Sequence, residues 1–191
     1  MKRIVLTFGL IGGALLSLMM AATIPFIDQI GFSRGMVIGY TTMVLAFLFV
    51  FFGIRSYREN VGNGQISFGR ALGVGFLIML ICCICYVITW EIIYFNFLPD
   101  FADKYAAHMI ESARASGAPA AEIAKQVDEM NRFKSLYSNI FFNVAMTFLE
   151  PLPVGLVMTL ISAAILRKRK RDLQNGPNAV KGSPVNNVNP V

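Results

Sequence analysis

The chain has 191 residues and a formal net charge of +6 at pH 7; 55% of its residues are hydrophobic and 15% charged, against about 25% charged in soluble domains. With a mean hydropathy of +0.59, this composition excludes a water-soluble globular domain and a disordered or collagenous chain, and three cysteines cannot build a disulfide-stapled fold. The apolar residues fall in four blocks, 4–27, 36–54, 71–98 and 141–166, each long enough for the helix of about 20 residues that crosses a bilayer core.

The first block follows Lys2 and Arg3 and so resembles a signal peptide. It outruns an ordinary h-region, and Met19-Met20-Ala21-Ala22-Thr23 lacks a small-x-small site, so it is expected to remain as a span. Its Gly9, Gly13 and Ser17 form one small-residue face suited to close helix packing in the bundle or in a dimer, and Gly69 and Gly73 begin another in the third span. A short turn at 28–35 makes the first two spans antiparallel neighbours. Residues 55–70 form the next loop, with an Asn63-Gly64 turn and Ser67 as N-cap of the third span. In it Arg55, Arg58 and Arg70 are candidate contacts for anionic lipid, although retention of positive charge on the cytoplasmic side is the first explanation for them.

The third span carries Cys82, Cys83 and Cys85. No His or fourth Cys stands at zinc-ligand spacing, so free thiols are expected, with no metal and no cofactor. The same span carries Glu91, an acid inside an apolar block and therefore a functional hypothesis by default. Its neighbours Trp90, Tyr94, Phe95 and Phe97 resemble an interfacial aromatic belt, in which Glu91 would be a snorkelling carboxylate. Residues 99–140 read as a helical hairpin, punctuated by Ser116-Gly117-Ala118-Pro119. In its second arm Ile123, Val127, Met130, Phe133 or Lys134, and Tyr137 recur at helical spacing. That stripe needs cover from the first arm, the membrane surface or a partner protein. The single histidine, His108, lies in the hairpin without a second ligand and is expected to be solvent-exposed.

The fourth span holds Glu150, followed by Pro151 and Pro153. The prolines remove the donors that would bond the carbonyls of Thr147 and Leu149, and Pro151 biases Glu150 away from the α region, so a kink or break is expected there. Asn143 and Thr147 lie on the same face, completing a polar stripe with Glu150. At a rise of about 1.5 Å per residue, Glu91 stands about 31 Å from Arg70 and Glu150 about 25 Å from Arg167, which places both acids toward the outer side. After Arg171 the sequence turns to Asn, Gly, Pro and Val, so 171–191 is expected to be a disordered tail.

Charge sets the orientation. Lys2, Arg3, Arg55, Arg58, Arg70, the run Arg167-Lys168-Arg169-Lys170-Arg171 and Lys181, eleven in all, fall on one side; Arg34, Lys104, Arg114, Lys125, Arg132 and Lys134, six in all, fall on the other with most of the acids. Both termini are therefore expected in the cytoplasm and the hairpin outside. The net charge is a topology signal and calls for no nucleic-acid partner.

Two motifs with this arrangement are similar to a known family. Phe52-Gly53-Ile54-Arg55-Ser56-Tyr57-Arg58-Glu59-Asn60 with the following Gly62-Asn63-Gly64-Gln65-Ile66-Ser67-Phe68-Gly69-Arg70-Ala71, and Phe148-Leu149-Glu150-Pro151-Leu152-Pro153-Val154-Gly155-Leu156, resemble the family catalogued as domain of unknown function 4199, over roughly residues 1–170. The resemblance implies a small four-span protein of a bacterial inner membrane and carries over no catalytic residues. The expectation is thus an all-α integral membrane protein in which residues 1–170 form the membrane domain. Its first functional reading is a non-enzymatic protein with a hairpin for partner interaction or assistance to an envelope complex, in contact with membrane lipids and open to homo-oligomerisation. The second is a small transport or ion-handling bundle using a protonatable Glu150, with or without Glu91. A membrane enzyme lacks support, because no nucleophile with a base and no cofactor motif occurs.

Overall fold

The computed structural model describes residues 1–168, so the expected tail at 171–191 lies outside the described residues. The elements are helical: α1 Lys2–Thr23, a 3-10 turn Ile24–Phe26, α2 Ile27–Ile30, α3 Phe32–Asn60, α4 Phe68–Phe97, α5 Phe101–Ala115, α6 Ala120–Tyr137, α7 Ile140–Leu149 and α8 Pro151–Leu166. Four segments are long and apolar enough to cross a membrane, Lys2–Phe26, Phe32–Asn60, Phe68–Phe97 and Ile140–Leu166. The chain is a membrane protein by that measure, and the large apolar side chains left exposed along these helices, among them Leu18, Val37, Ile88 and Ile165, suit a lipid surround.

Helix α3 overruns the expected span at both ends. At its start only Gly31, at φ 80°, separates it from α2; a residue with a Cβ would be strained in that conformation. At its far end the helix continues through Arg55, Arg58 and Glu59, which form a helical ion pair between Arg55 and Glu59 at 3.0 Å. The expected loop of 55–70 therefore shrinks to 61–67, because good helix formers with an i,i+4 pair continue the helix beyond its apolar stretch. Within it Asn63 (φ 48°) and Gly64 (φ 79°) make the turn. The Ser67 hydroxyl accepts from the Arg70 N–H at 3.4 Å, capping α4. Ile66 also pairs with Lys168 by two backbone hydrogen bonds of 3.0 Å, which ties this loop to the end of α8.

Helix α4 is the centre of the bundle. It packs against α1, α3, α7 and α8, while α1 and α8 lie on either side of the α3–α4 pair. Glycines make the approaches close. A Cβ on Gly12 would fall 2.8 Å from Cys82 Sγ, one on Gly53 2.4 Å from Ile78 Cδ1, and one on Gly75 2.8 Å from both Ile54 and Thr159. The Gly9–Gly13–Ser17 face is used inside the bundle: Gly9 meets Ile81, Gly13 meets Cys85, and the Thr89 hydroxyl donates to Ser17 Oγ at 2.7 Å. All three cysteines are free thiols in or beside this seam. The core is correspondingly apolar, built from Met43, Phe47, Val50, Ile54, Ile78 and Met79.

Helices α5 and α6 pack on each other as the hairpin, which leaves Ile123, Val127, Met130 and Phe133 of its stripe half-buried and Tyr137 buried. A second cluster, Trp90, Tyr94, Ala102 and Tyr137 with Phe101, Phe133 and Phe142 against it, seats the hairpin on the ends of α4 and α1. Phe32 of α3 joins it through ring contacts with Phe101, Tyr105 and His108. His108 is accordingly half-buried, its ring stacked 5.1 Å from that of Phe32; the expectation of a freely exposed histidine missed this aromatic neighbour, which the sequence places far away.

Candidate functional site

Asn143, Thr147 and Glu150 line one face of α7 and its end, opposite Tyr86 and Trp90 on α4. Tyr86 and Trp90 are four residues apart and share a face. Two polar groups result. At the hairpin end the Trp90 indole N–H lies 3.0 Å from Tyr137 Oη and 3.1 Å from Asn143 Oδ1. Asn143, fully buried, donates from Nδ2 to the Tyr137 carbonyl at 3.3 Å and accepts from Thr147 Oγ1 at 3.2 Å. Nearer the middle of the bundle the Tyr86 hydroxyl donates to Glu150 Oε2 at 2.8 Å. Burial pushes the Tyr137 phenol up to about 12. That phenol is therefore held neutral through the physiological range.

The helix containing Glu150 is interrupted by a single residue. Glu150 lies between α7 and α8 with φ −66° and ψ −57°, still in the right-handed helical region. The proline that follows does not turn it extended. Packing of α7 on α4 and of α8 on both α3 and α4 overrides the local bias at this residue. The missing proline donors nevertheless leave a discontinuity, with Pro151 buried and Glu150 exposed on the flank of the bundle.

Glu91 takes no part in this arrangement. It follows Trp90 by one residue and so points about 100° away around α4. Both of its carboxylate oxygens are out of solvent contact and have no hydrogen-bond partner among the described residues. The two intramembrane acids are thus on different faces and share no hydrogen bond. Of the expected lipid contacts, Arg55 and Arg58 both reach Glu59, and Arg58 also reaches the Leu166 carbonyl at 3.4 Å. Arg70 stands on the first turn of α4 with its side chain exposed.

Sequence reasoning grouped Asn143, Thr147, Glu150, Pro151 and Pro153 but missed their partners. Trp90, expected in an interfacial aromatic belt, is instead 7% exposed, with its one N–H shared between two acceptors. Tyr86 and Tyr137 carried a usable signal: a tyrosine in the middle of an apolar span, and another at the end of an amphipathic stripe, each need an acceptor or donor when buried. Chemically, the Trp90–Tyr137–Asn143–Thr147 group satisfies itself and acts as a lock. The Tyr86–Glu150 pair leaves Oε1 able to take a proton, a cation or a donor from a neighbour.

The sequence model of the family described as "Protein of unknown function (DUF4199)" matches residues 7–168. No curated protein and no solved structure matches the chain.

Proposed function

Because the chain belongs to the DUF4199 family of proteins of unknown function, we propose its role from its own geometry. It is a non-enzymatic integral protein of a bacterial inner membrane, with both termini in the cytoplasm, whose bundle presents the α5–α6 hairpin outside the membrane to a partner protein of an envelope complex. The observation that carries this reading is the lock at the hairpin's base. Hydrogen bonds from Trp90 to Tyr137 and Asn143 and an ion pair between Lys134 and Asp103 fix the hairpin before any partner arrives, and a preformed surface loses less conformational entropy on binding. The other face of α6 carries exposed Glu122, Lys125, Glu129 and Arg132, a polar surface suited to a transient partner.

The test is crosslinking and co-purification of the full chain from intact bacterial membranes, beside a variant with Glu122→Lys, Lys125→Glu and Arg132→Glu. One specific protein held by the native chain and lost from the folded variant is the expected result. Absence of any specific species, or equal capture by both, rejects the reading.

A second reading rests on Glu150, an exposed carboxylate at a helix discontinuity with one tyrosine donor. It makes the bundle a small proton- or ion-handling unit. Here Glu150→Gln should abolish a pH-dependent flux in proteoliposomes, while unchanged flux removes this reading.

A further inference from the structure

The three arginines at the loop end of the bundle are not equivalent. Arg55 and Arg58 are engaged by Glu59, and Arg58 by the Leu166 carbonyl as well. Arg70 bonds Ser67 through its backbone N–H, and its guanidinium makes no ion pair or hydrogen bond among the described residues. It stands at one side of a groove of about 390 Å³ whose other walls include Met1, Tyr57, Gly73, Phe76 and Leu77. No acidic residue lines this groove, and the exposed Lys2 and Arg3 follow Met1 on the first turn of α1, so the potential at its mouth is positive.

The floor is apolar and uncovered. Nothing lies within 4 Å of where a Cβ on Gly73 would stand, and Phe76 and Leu77 are 43% and 39% exposed. From Arg70 to Leu77 the helix descends about 10 Å, with the cation at the membrane boundary and the bare stretch beneath it. A soluble anion would use only the cation. A lipid uses both, its phosphate at the interface and its chain alongside the helix.

The geometry points to an anionic phospholipid held in this groove, with its phosphate on Arg70 and one acyl chain laid over Gly73 and Leu77. The site is independent of the hairpin and of Glu150. It is tested by native mass spectrometry of the full chain in detergent, titrated with dioleoyl-phosphatidylglycerol, with dioleoyl-phosphatidylcholine, or with the former against inorganic phosphate. One equivalent of phosphatidylglycerol should be retained in preference to phosphatidylcholine. Arg70→Gln should weaken it about fivefold, the factor one interfacial cation supplies, whereas Arg55→Gln leaves it in place. Gly73→Phe, which fills the floor without changing charge, should expel the lipid, and Gly73→Ala should keep it, separating filling of the groove from misfolding. Equal losses from Arg70→Gln and Arg55→Gln would reduce the site to diffuse attraction. Retention by Gly73→Phe, or displacement by inorganic phosphate, would overturn the acyl-chain contact.

Discussion

At the scale of the residue, Trp90 makes the most consequential contact in the chain. Its single N–H is shared between the hairpin, through Tyr137, and the fourth apolar segment, through Asn143. Replacing it by Phe keeps most of the ring packing against Tyr94 and Phe101 but removes the donor to Tyr137 Oη and leaves Asn143 Oδ1 with Thr147 alone. Hydrogen bonds in bundles of this kind are individually modest, so Trp90→Phe should cost ~1 kcal/mol. The loss should be local: faster hydrogen exchange and proteolysis of α5–α6, with the four long helices intact. Uniform loosening of all helices would contradict that assignment. Tyr137 adds a pH dependence of definite sign. Its folded-state pKa is raised by burial to about 12, above the free phenol near ~10, so the native state holds its proton more tightly than the unfolded one. Its contribution to stability is complete below pH ~10 and is lost as pH rises from there toward 12. Hairpin protection, taken relative to the base-catalysed intrinsic exchange rate, should fall in that window, and Tyr137→Phe should remove that fall.

At the scale of the element, glycine placement distinguishes helices that must touch from those that need not. A Cβ on Gly9 would stand 2.8 Å from Ile81 Cβ, an atom fixed close to the α4 backbone, while Gly73 of α4 has open space. Gly9→Val should therefore destabilise the bundle by ~1–3 kcal/mol through overpacking, whereas Gly73→Ala should be neutral or gain up to ~1 kcal/mol from helix propensity; denaturation midpoints in detergent read both. The sequence showed Gly9, Gly13 and Ser17 on one face, because helical period is local information. It left open whether that face meets α4 or a second copy, since Ile81, Cys85 and Thr89 are far along the chain. The same limit explains the candidate site. Asn143, Thr147 and Glu150 could be grouped by spacing, and the Pro151 interruption by chemistry. That Trp90 turns inward to meet them, while Glu91 turns away, depends on which flank of α4 receives α7. Hydropathy is nearly continuous around α4 and so could not tell that flank from the rest.

At the scale of the whole molecule, charge is segregated by the fold as well as by the sequence. Met1, Tyr57 and Arg70 meet in one groove, and Ile66 pairs with Lys168. These contacts gather the first turn of α1, the α3–α4 loop and the end of α8 at one pole. The hairpin is seated at the other pole by Trp90 and Tyr94. Basic residues predominate at the first pole, which retention of Lys and Arg would keep in the cytoplasm. Two single-cysteine positions test this orientation against one background. Val61 in the α3–α4 loop and Ser116 at the hairpin tip are both exposed and lie at opposite poles. Val61→Cys and Ser116→Cys are small changes outside the packed seams. The native thiols give little competing signal, since Cys82 and Cys83 are buried and Cys85 is half-buried against Gly13. In intact spheroplasts a membrane-impermeant maleimide should label Ser116→Cys and spare Val61→Cys until the membrane is opened. The reverse pattern would put the basic pole outside, and with it both the hairpin's proposed partner surface and the Arg70 groove would face the wrong compartments. Labelling of both positions in intact spheroplasts would mean two populations of opposite orientation and would reject a single cytoplasmic basic pole.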